Sequence, residues 1–239
     1  MSGHSKWAKT HRQKSVQDSK RGATFTKIAN LITIAAKEAG GDPETNFKLR
    51  LAIEKARSVN MPKDNIERAI NRGTGAGKDS QSFEEITYEV IGPGATHFIL
   101  EAVTDNKNRT VSDLKAILNR NNAQLGATNS VAWNFKYCGL IILDGNNFNE
   151  EEELKMIDVG AEDINKEAED WELITSPQNL MSTAEKLKQA NFKIKETSLV
   201  YLPNEEKIID NEEEKEKINK LYEALDSLDD ISNIYTNAG

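Results

Sequence analysis

The chain reads Gly73-Thr74-Gly75-Ala76-Gly77 at the end of its first third, and the spacing of its apolar residues changes across that run. Before it the period is helical. Phe25, Ile28, Ile32, Ala35 and Ala39 recur at three- and four-residue steps, and Leu31 widens the stripe. That spacing predicts a helix, which Gly40-Gly41 and Asp42-Pro43 stop. A second helix is expected over about 46–59, with Phe47/Leu51 on one side and Leu49/Ile53/Ala56 on the other. Two apolar stripes predict contact with two neighbours. Pro62 suits the first turn of a third helix, with Ile66, Ala69 and Ile70 inward. Beyond the run the period is two. Ile86, Tyr88 and Val90 alternate with Thr87 and Glu89, Gly92-Pro93-Gly94 turns, and Phe98, Leu100 and Ala102 alternate again. This is the pattern of a hairpin with one buried face. The glycine-rich run itself lacks the Lys-Ser/Thr and the preceding strand of a phosphate loop, so it reads as a linker.

Downstream, Thr110 with Asp113 resembles a capping pair opening a helix with Val111, Leu114, Ile117 and Leu118 inward. Val131 to Phe135 and Gly139 to Leu143 are expected strands. Further strands are expected near 171–175, 192–202 and 231–236, and helices near 150–159, 179–190 and 211–228. The acidic clusters Glu150–Glu153 and Glu212–Glu216 open two of these helices, where negative charge suits the dipole. Runs of strands and helices in this order predict an α+β fold with small antiparallel sheets. The last helix and strand can return to the sheet begun at residue 83, which leaves 137–203 as an insertion. A chain of 239 residues also exceeds one typical domain. Its hydrophobic share of 37% favours several small cores over one large one.

The formal net charge of -8 hides a reversal. Residues 1–78 hold 16 Lys and Arg against 7 Asp and Glu, a net of +9, whereas residues 79–239 hold 15 against 32, a net of -17. The basic third attracts a polyanion and the acidic remainder repels one. The first 27 residues carry Lys6, Lys9, Arg12, Lys14, Lys20, Arg21 and Lys27 against the single acid Asp18, with few large apolar side chains. Such a segment cannot bury enough surface to fold alone, so an arm that orders on phosphates is expected. Trp7 sits among these cations and either stacks on an unpaired base or packs on the helical domain. His11 lies in the same arm, seven residues from His4, where phosphate or water is a better partner than metal. Within the helices, Lys48/Lys55 and Arg50/Arg57 are each seven apart and form two basic edges, and Lys63, Arg68 and Arg72 point outward from the third helix. The candidate nucleic-acid contacts are therefore Lys6, Trp7, Lys9, His11, Arg12, Lys14, Lys20, Arg21, Lys27, Lys48, Arg50, Lys55, Arg57, Lys63, Arg68 and Arg72. The start lacks the apolar stretch of a secretory signal, and no cleavage-like boundary marks a transit peptide.

Catalytic and metal signatures do not emerge. The sequence has no nucleophile elbow, no H-E-x-x-H, no P-loop and no dinucleotide fingerprint. Cys138 is the single cysteine, and His4, His11 and His97 are the only histidines. No metal, cofactor or enzymatic activity is expected. The longest apolar run, around Leu140 to Leu143, is strand-sized and far short of a membrane span.

The start Gly3-His4-Ser5-Lys6-Trp7-Ala8, with Gln17-Asp18-Ser19-Lys20-Arg21-Gly22 and Phe25-Thr26-Lys27, resembles the YebC/PmpR family. So do Gly40-Gly41-Asp42-Pro43, the stretch Leu49 to Asn71 and Glu84-Glu85-Ile86-Thr87-Tyr88-Glu89. Thr104-Asp105-Asn106-Lys107-Asn108-Arg109-Thr110 and Ile234-Tyr235-Thr236-Asn237 also fit. The arm between Trp7 and Arg12 is one residue shorter than the usual pattern, and His97 stands where an aliphatic residue is usual.

The resemblance implies an α+β multidomain protein: a three-helix N-terminal domain followed by two small α/β domains, the third inserted in the second. The corresponding segments are a basic arm at 1–22, a helical domain at 23–78, an α/β domain at 79–136 plus 204–239, and an inserted α/β domain at 137–203. It implies a cytoplasmic bacterial protein and two described roles. One is a DNA-binding transcriptional regulator. The other is a ribosome-associated translation factor, including, in mitochondria, an activator of cytochrome c oxidase synthesis. The expected partners are promoter DNA or ribosomal RNA, with protein partners on the acidic α/β domains and no membrane.

Overall fold

The computed structural model describes residues 21–75, 83–145, 148–166 and 170–239. Of the arm expected over 1–22, residues 1–20 lie outside these residues, whereas Arg21 and Gly22 already belong to the first helix. Residues Phe135–Leu202 form one compact unit, and the described residues up to Asn134 form a second together with Pro203–Gly239. Among the described residues the fold is α+β, with seven helices and two four-stranded sheets.

Three helices open the larger unit: α1 (Arg21–Ala39), α2 (Phe47–Ser58) and α3 (Lys63–Gly73). Asn46 joins the first two. Its side-chain oxygen accepts the Leu49 N–H at 3.0 Å, capping α2, while its amide donates to the Ala35 and Gly40 carbonyls at 2.7 Å. The free carbonyls at the end of α1 and the free N–H groups at the start of α2 are thus satisfied by one buried side chain. Helix α3 lies close against α1. A Cβ on Gly73 would stand 2.3 Å from the Thr33 carbonyl oxygen and 2.8 Å from the Ala36 Cβ. Ile28, Ile32, Leu49, Ile53, Ala56, Ile66 and Ala69 fill the core between the helices. The second stripe expected on α2 is not buried: Phe47 is 37% exposed and Leu51 half-buried. Helix α1 packs against both other helices and takes the α2 face that carries Leu49 and Ile53, leaving the Phe47 side largely uncovered.

The first sheet has the order β3-β1-β2-β8, from β1 (Glu84–Ile91), β2 (His97–Thr104), β3 (Gln124–Leu125) and β8 (Ile231–Thr236). Strands β1 and β2 pair antiparallel from Glu84↔Thr104 to Ile91↔His97, and β8 pairs with the other side of β2. Helices α4 (Lys107–Arg120) and α7 (Glu212–Asp226) place Leu114, Leu118, Ile218, Leu221 and Leu225 against Val90, Phe98, Leu100 and Ala102. The one-sided alternation expected for β2 does not hold, because Ile99 and Val103, on the opposite face, are buried as well. As an inner strand, β2 is covered on its second face too, where Val103 packs with Ile34 of α1 and Phe83.

Two local expectations are corrected. Asn106, not Thr110, caps α4, accepting the Arg109 N–H at 3.1 Å, and Thr110 lies inside the helix. Residues Ala132–Asn134 form a 3-10 turn, and the strand begins only at Phe135. The cause is Glu89, whose carboxylate gathers the backbone N–H groups of Asn129, Val131 and Ala132 at 2.6–2.9 Å and so bends this segment out of a strand.

The smaller unit holds β4 (Phe135–Asp144), α5 (Glu150–Asp158), β5 (Asp163–Lys166), β6 (Asp170–Thr175), α6 (Leu180–Gln189) and β7 (Ile194–Pro203), with sheet order β5-β6-β4-β7. Asn149 and Glu152 form a capping box at the start of α5. Gly139 admits α6 close to β4, since a Cβ there would meet the Leu180 Cβ at 2.9 Å. The short strands β3 and β5, of two and four residues, left no readable period in the sequence.

Candidate nucleic-acid interface

The expected cations of the helical domain fall into two sets. Lys6, Trp7, Lys9, His11, Arg12, Lys14 and Lys20 lie outside the described residues, and Arg21 is the first residue of α1. Lys48 and Lys55, one basic edge of α2, reach toward the first sheet. Lys48 bonds Glu38 at 2.9 Å and Glu85 at 3.4 Å, and Lys55 donates to the Asn233 Oδ1 at 2.9 Å. Partial burial works to lower the Lys48 pKa, but Glu38 and Glu85 outweigh it and hold the ammonium above its ordinary value. Lys27 likewise reaches Asp226 at the end of α7. Within the larger unit, these three side chains tie the three opening helices to the first sheet and to α7.

The other edge of α2 turns away from that contact. Arg50 is half-buried, its guanidinium held by the carbonyls of Pro43 and Glu44 at 3.0 and 2.8 Å. Arg57 is exposed, and no hydrogen bond or ion pair among the described residues engages its guanidinium. On α3, Lys63 pairs with Glu67 at 3.3 Å, and Arg68 bonds Asn65 and the Asp64 carbonyl. Arg68 and Arg72 are four apart on one face of α3, while Lys63 lies on another. The exposed or half-exposed guanidiniums of Arg57, Arg68 and Arg72 therefore have donors to spare. Guanidinium forks match phosphate oxygens.

Further polar groups lie on the strands of the two units; the sequence singles out His97 and Cys138 among them but not Glu101. Glu101 on β2 is half-buried and accepts from the Asn233 amide at 2.8 Å and the Tyr235 hydroxyl at 3.1 Å. Burial raises its pKa, and these two donors offset only part of that. For Glu89 the balance is reversed. Burial works to raise its pKa, but the N–H donors of Val131, Ala132 and Asn129 hold the carboxyl below its ordinary value. His97 is half-buried and its Nδ1 faces the Asn134 amide at 3.3 Å. Burial, then Lys207, lowers its pKa, so it is neutral near pH 7. Cys138 is fully buried in β4 and its thiol is pushed up to about 11, which leaves almost no thiolate at neutral pH. Trp133 is 62% exposed, a side chain that the strand expectation for Val131 to Phe135 obscured.

Among the described residues, no group of three or more His, Cys, Asp or Glu side chains is placed to hold a metal ion. No described helix is long and apolar enough to cross a membrane.

Residues 5–76 match the family model for the TACO1/YebC protein N-terminal domain, and residues 83–238 match that for the TACO1/YebC second and third domain. A probable transcriptional regulatory protein of Syntrophomonas wolfei is 46% identical over 241 residues, covering 99% of this chain and 96% of that protein. One from Thermoanaerobacter pseudethanolicus is 46% identical over 239 residues, with the same coverage. The crystal structure of a conserved hypothetical protein from Aquifex aeolicus superposes with a TM-score of 0.82 at 37% identity, covering 93% of this chain and 91% of that one. With both family models matching consecutively along nearly its whole length, the chain belongs to the TACO1/YebC family.

Proposed function

We propose that the chain is a non-enzymatic nucleic-acid-binding regulator of gene expression, acting in the cytoplasm as a DNA-binding transcriptional regulator. The observation that carries this reading is the division of the cations on the helical domain. Lys27, Lys48 and Lys55 are used in holding the α/β domain, while Arg57, Arg68 and Arg72 keep donors directed to solvent. Together with the basic segment before Arg21, these side chains supply positive charge in a chain whose remainder is acidic. The names of the relatives support a regulatory role.

A second reading is a ribosome-associated RNA-binding translation factor. It is favoured by Trp7, a stackable ring among the arm's cations, since unpaired bases are displayed by structured RNA. Crosslinking in cells followed by sequencing of the attached nucleic acid separates the two. Promoter DNA supports the first reading and ribosomal RNA the second, whereas recovery of neither overturns both. In vitro, Arg57→Gln and Arg72→Gln should each lower the log–log salt slope of duplex binding by about 0.9 per lost phosphate contact. The acidic α/β domains are left to protein partners.

A further inference from the structure

The three opening helices meet the rest of the larger unit across a seam whose two sides carry opposite charge. From α1, Lys27 donates to the carbonyl of Asp226 at 2.5 Å and to its carboxylate at 3.1 Å. Lys37, further along α1, donates to the Phe83 carbonyl at 2.9 Å. From α2, Lys48 reaches Glu85 on β1 at 3.4 Å, and Lys55 reaches the Asn233 Oδ1 on β8 at 2.9 Å. Behind Asn233 stands Glu101, whose carboxylate accepts the Asn233 Nδ2 at 2.8 Å. In these contacts the cations come from the helices and the carboxylates from the far side. Glu38 also holds Lys48, but it belongs to α1 and stays with it.

Little apolar packing backs the seam. The buried cluster that spans it among the described residues is Ile34, Phe83 and Val103, much smaller than the cores on either side. The Lys48 and Glu85 side chains are 43% and 35% exposed, and ion pairs open to solvent contribute little. A small polar contact between two separately cored parts favours relative motion.

A carboxylate oxygen takes an ammonium group with the charge and at the distance that a phosphate oxygen would. A lysine so paired has no counterion to release and adds little to a first encounter with a polyanion. We propose that the seam is autoinhibitory: Glu85, Asp226 and the Asn233 amide occupy Lys48, Lys27 and Lys55 in place of backbone phosphates, and a nucleic acid gains those lysines only by parting the helices from the sheet. The inference rests on the nucleic-acid reading above and adds a second step to it. Arg57, Arg68 and Arg72 make the first contact, because their spare donors are open while the seam is closed. Parting the seam then separates the lysines from Glu85, Glu101 and Asp226. A polyanion is attracted by the first group and repelled by the second, so it binds the open arrangement better. A ligand shifts an equilibrium by that difference in affinity alone.

The test uses the full chain and a fluorescein-labelled duplex of mixed sequence, as DNA and as RNA. Glu85→Gln with Asp226→Asn weakens the far side of the seam. This double variant should bind whichever duplex the wild type binds roughly 2- to 30-fold more tightly, the worth of two such pairs. A control, Glu212→Gln with Glu213→Gln at the other end of α7, removes the same charge away from the seam and should change affinity far less. Circular dichroism checks that both variants fold. The wild type gives an independent readout. A carbodiimide joins ammonium and carboxylate groups in contact, and mass spectrometry should find Lys27–Asp226 and Lys48–Glu85 links that saturating duplex suppresses. The Lys217–Glu213 link within α7 should persist. Equal affinity of the seam variant and the control overturns the proposal, as do seam links that persist at saturation. Either result leaves Arg57, Arg68 and Arg72 as nucleic-acid contacts. A wild type that binds neither duplex at low salt removes both readings.

Discussion

Lys27, near the start of α1, donates to both the main-chain carbonyl and the carboxylate of Asp226, the last residue of α7, at 2.5 and 3.1 Å. A cation at the C-terminal end of a helix satisfies a free carbonyl and complements the helix dipole. The contact also joins residues 199 apart in sequence.

Lys27→Met should therefore loosen the helical domain from the α/β domain, at a cost of about 1–3 kcal/mol for hydrogen bonds to a charged group. Hydrogen exchange should report faster exchange in α1 and at the end of α7. If exchange rises uniformly over the whole chain, the contact is not a local clamp.

Glu101 predicts a pH effect of defined sign. Its folded-state pKa is raised, chiefly by burial. Its contribution is therefore most favourable below the ordinary carboxyl value and is lost as the pH rises through the raised one. Glu101→Gln keeps an oxygen for Asn233 and Tyr235 but removes the buried charge. The variant should melt higher than the wild type at neutral pH, and the difference should close below about pH 4. Thermal melts across that range check it; a gap of constant size would show that charge is not the cause.

Glu89 should behave in the opposite way. Its pKa is lowered because Val131, Ala132 and Asn129 donate to it against the opposing effect of burial. The stability it contributes is present above the ordinary carboxyl value and is lost as the pH falls through the lowered one. Glu89→Gln turns an amide toward backbone donors and should destabilise at neutral pH by about 1–3 kcal/mol. Denaturant titrations at neutral and acid pH should find that cost shrinking on acidification.

Asp230 anchors the stretch from Thr104 to Thr110. It accepts from the Thr110 hydroxyl at 2.7 Å, from Thr104 at 3.2 Å and from the Arg109 guanidinium at 3.0 Å. Asp230→Asn should cost about 2–3 kcal/mol through unmatched donors. Nucleic-acid affinity of the folded fraction should not change, and a selective loss of affinity would assign Asp230 and its partners a direct role.

Gly73→Ala should also destabilise, by about 1–3 kcal/mol, because the new methyl meets the Thr33 carbonyl in a close-packed helix contact. The midpoint of a urea titration measures it, and an unchanged midpoint would mean that α1 and α3 separate freely.

Much of the secondary structure was legible because its causes are local. The stop of α1 at Gly40, the start of α3 after Pro62 and the strand Ile231–Thr236 depend on residues within one turn or one strand of each other. The acid-opened helices at Glu150 and Glu212 follow from the same short-range rules. The cap of α4 was misassigned because Asn106 and Thr110 both suit an N-terminus in sequence, and Asp230, 120 residues away from Thr110, engages the second. In the candidate site, the abundance of cations was legible and their division was not. Lys48 and Arg50 differ by two positions, yet one faces Glu85 and the other the Pro43 carbonyl.

The fold class, the change from helical to strand period near Gly73 and the basic front third are legible along the chain, since each is a property of neighbouring residues or of bulk composition. The burial of β2 on both faces, the grip of Lys27, Lys48 and Lys55 on the first sheet and α7, and the fixing by Glu89 of the loop presenting Trp133 emerge on folding. Each of those depends on a contact between side chains and backbone far apart along the chain, and such contacts leave no period to read.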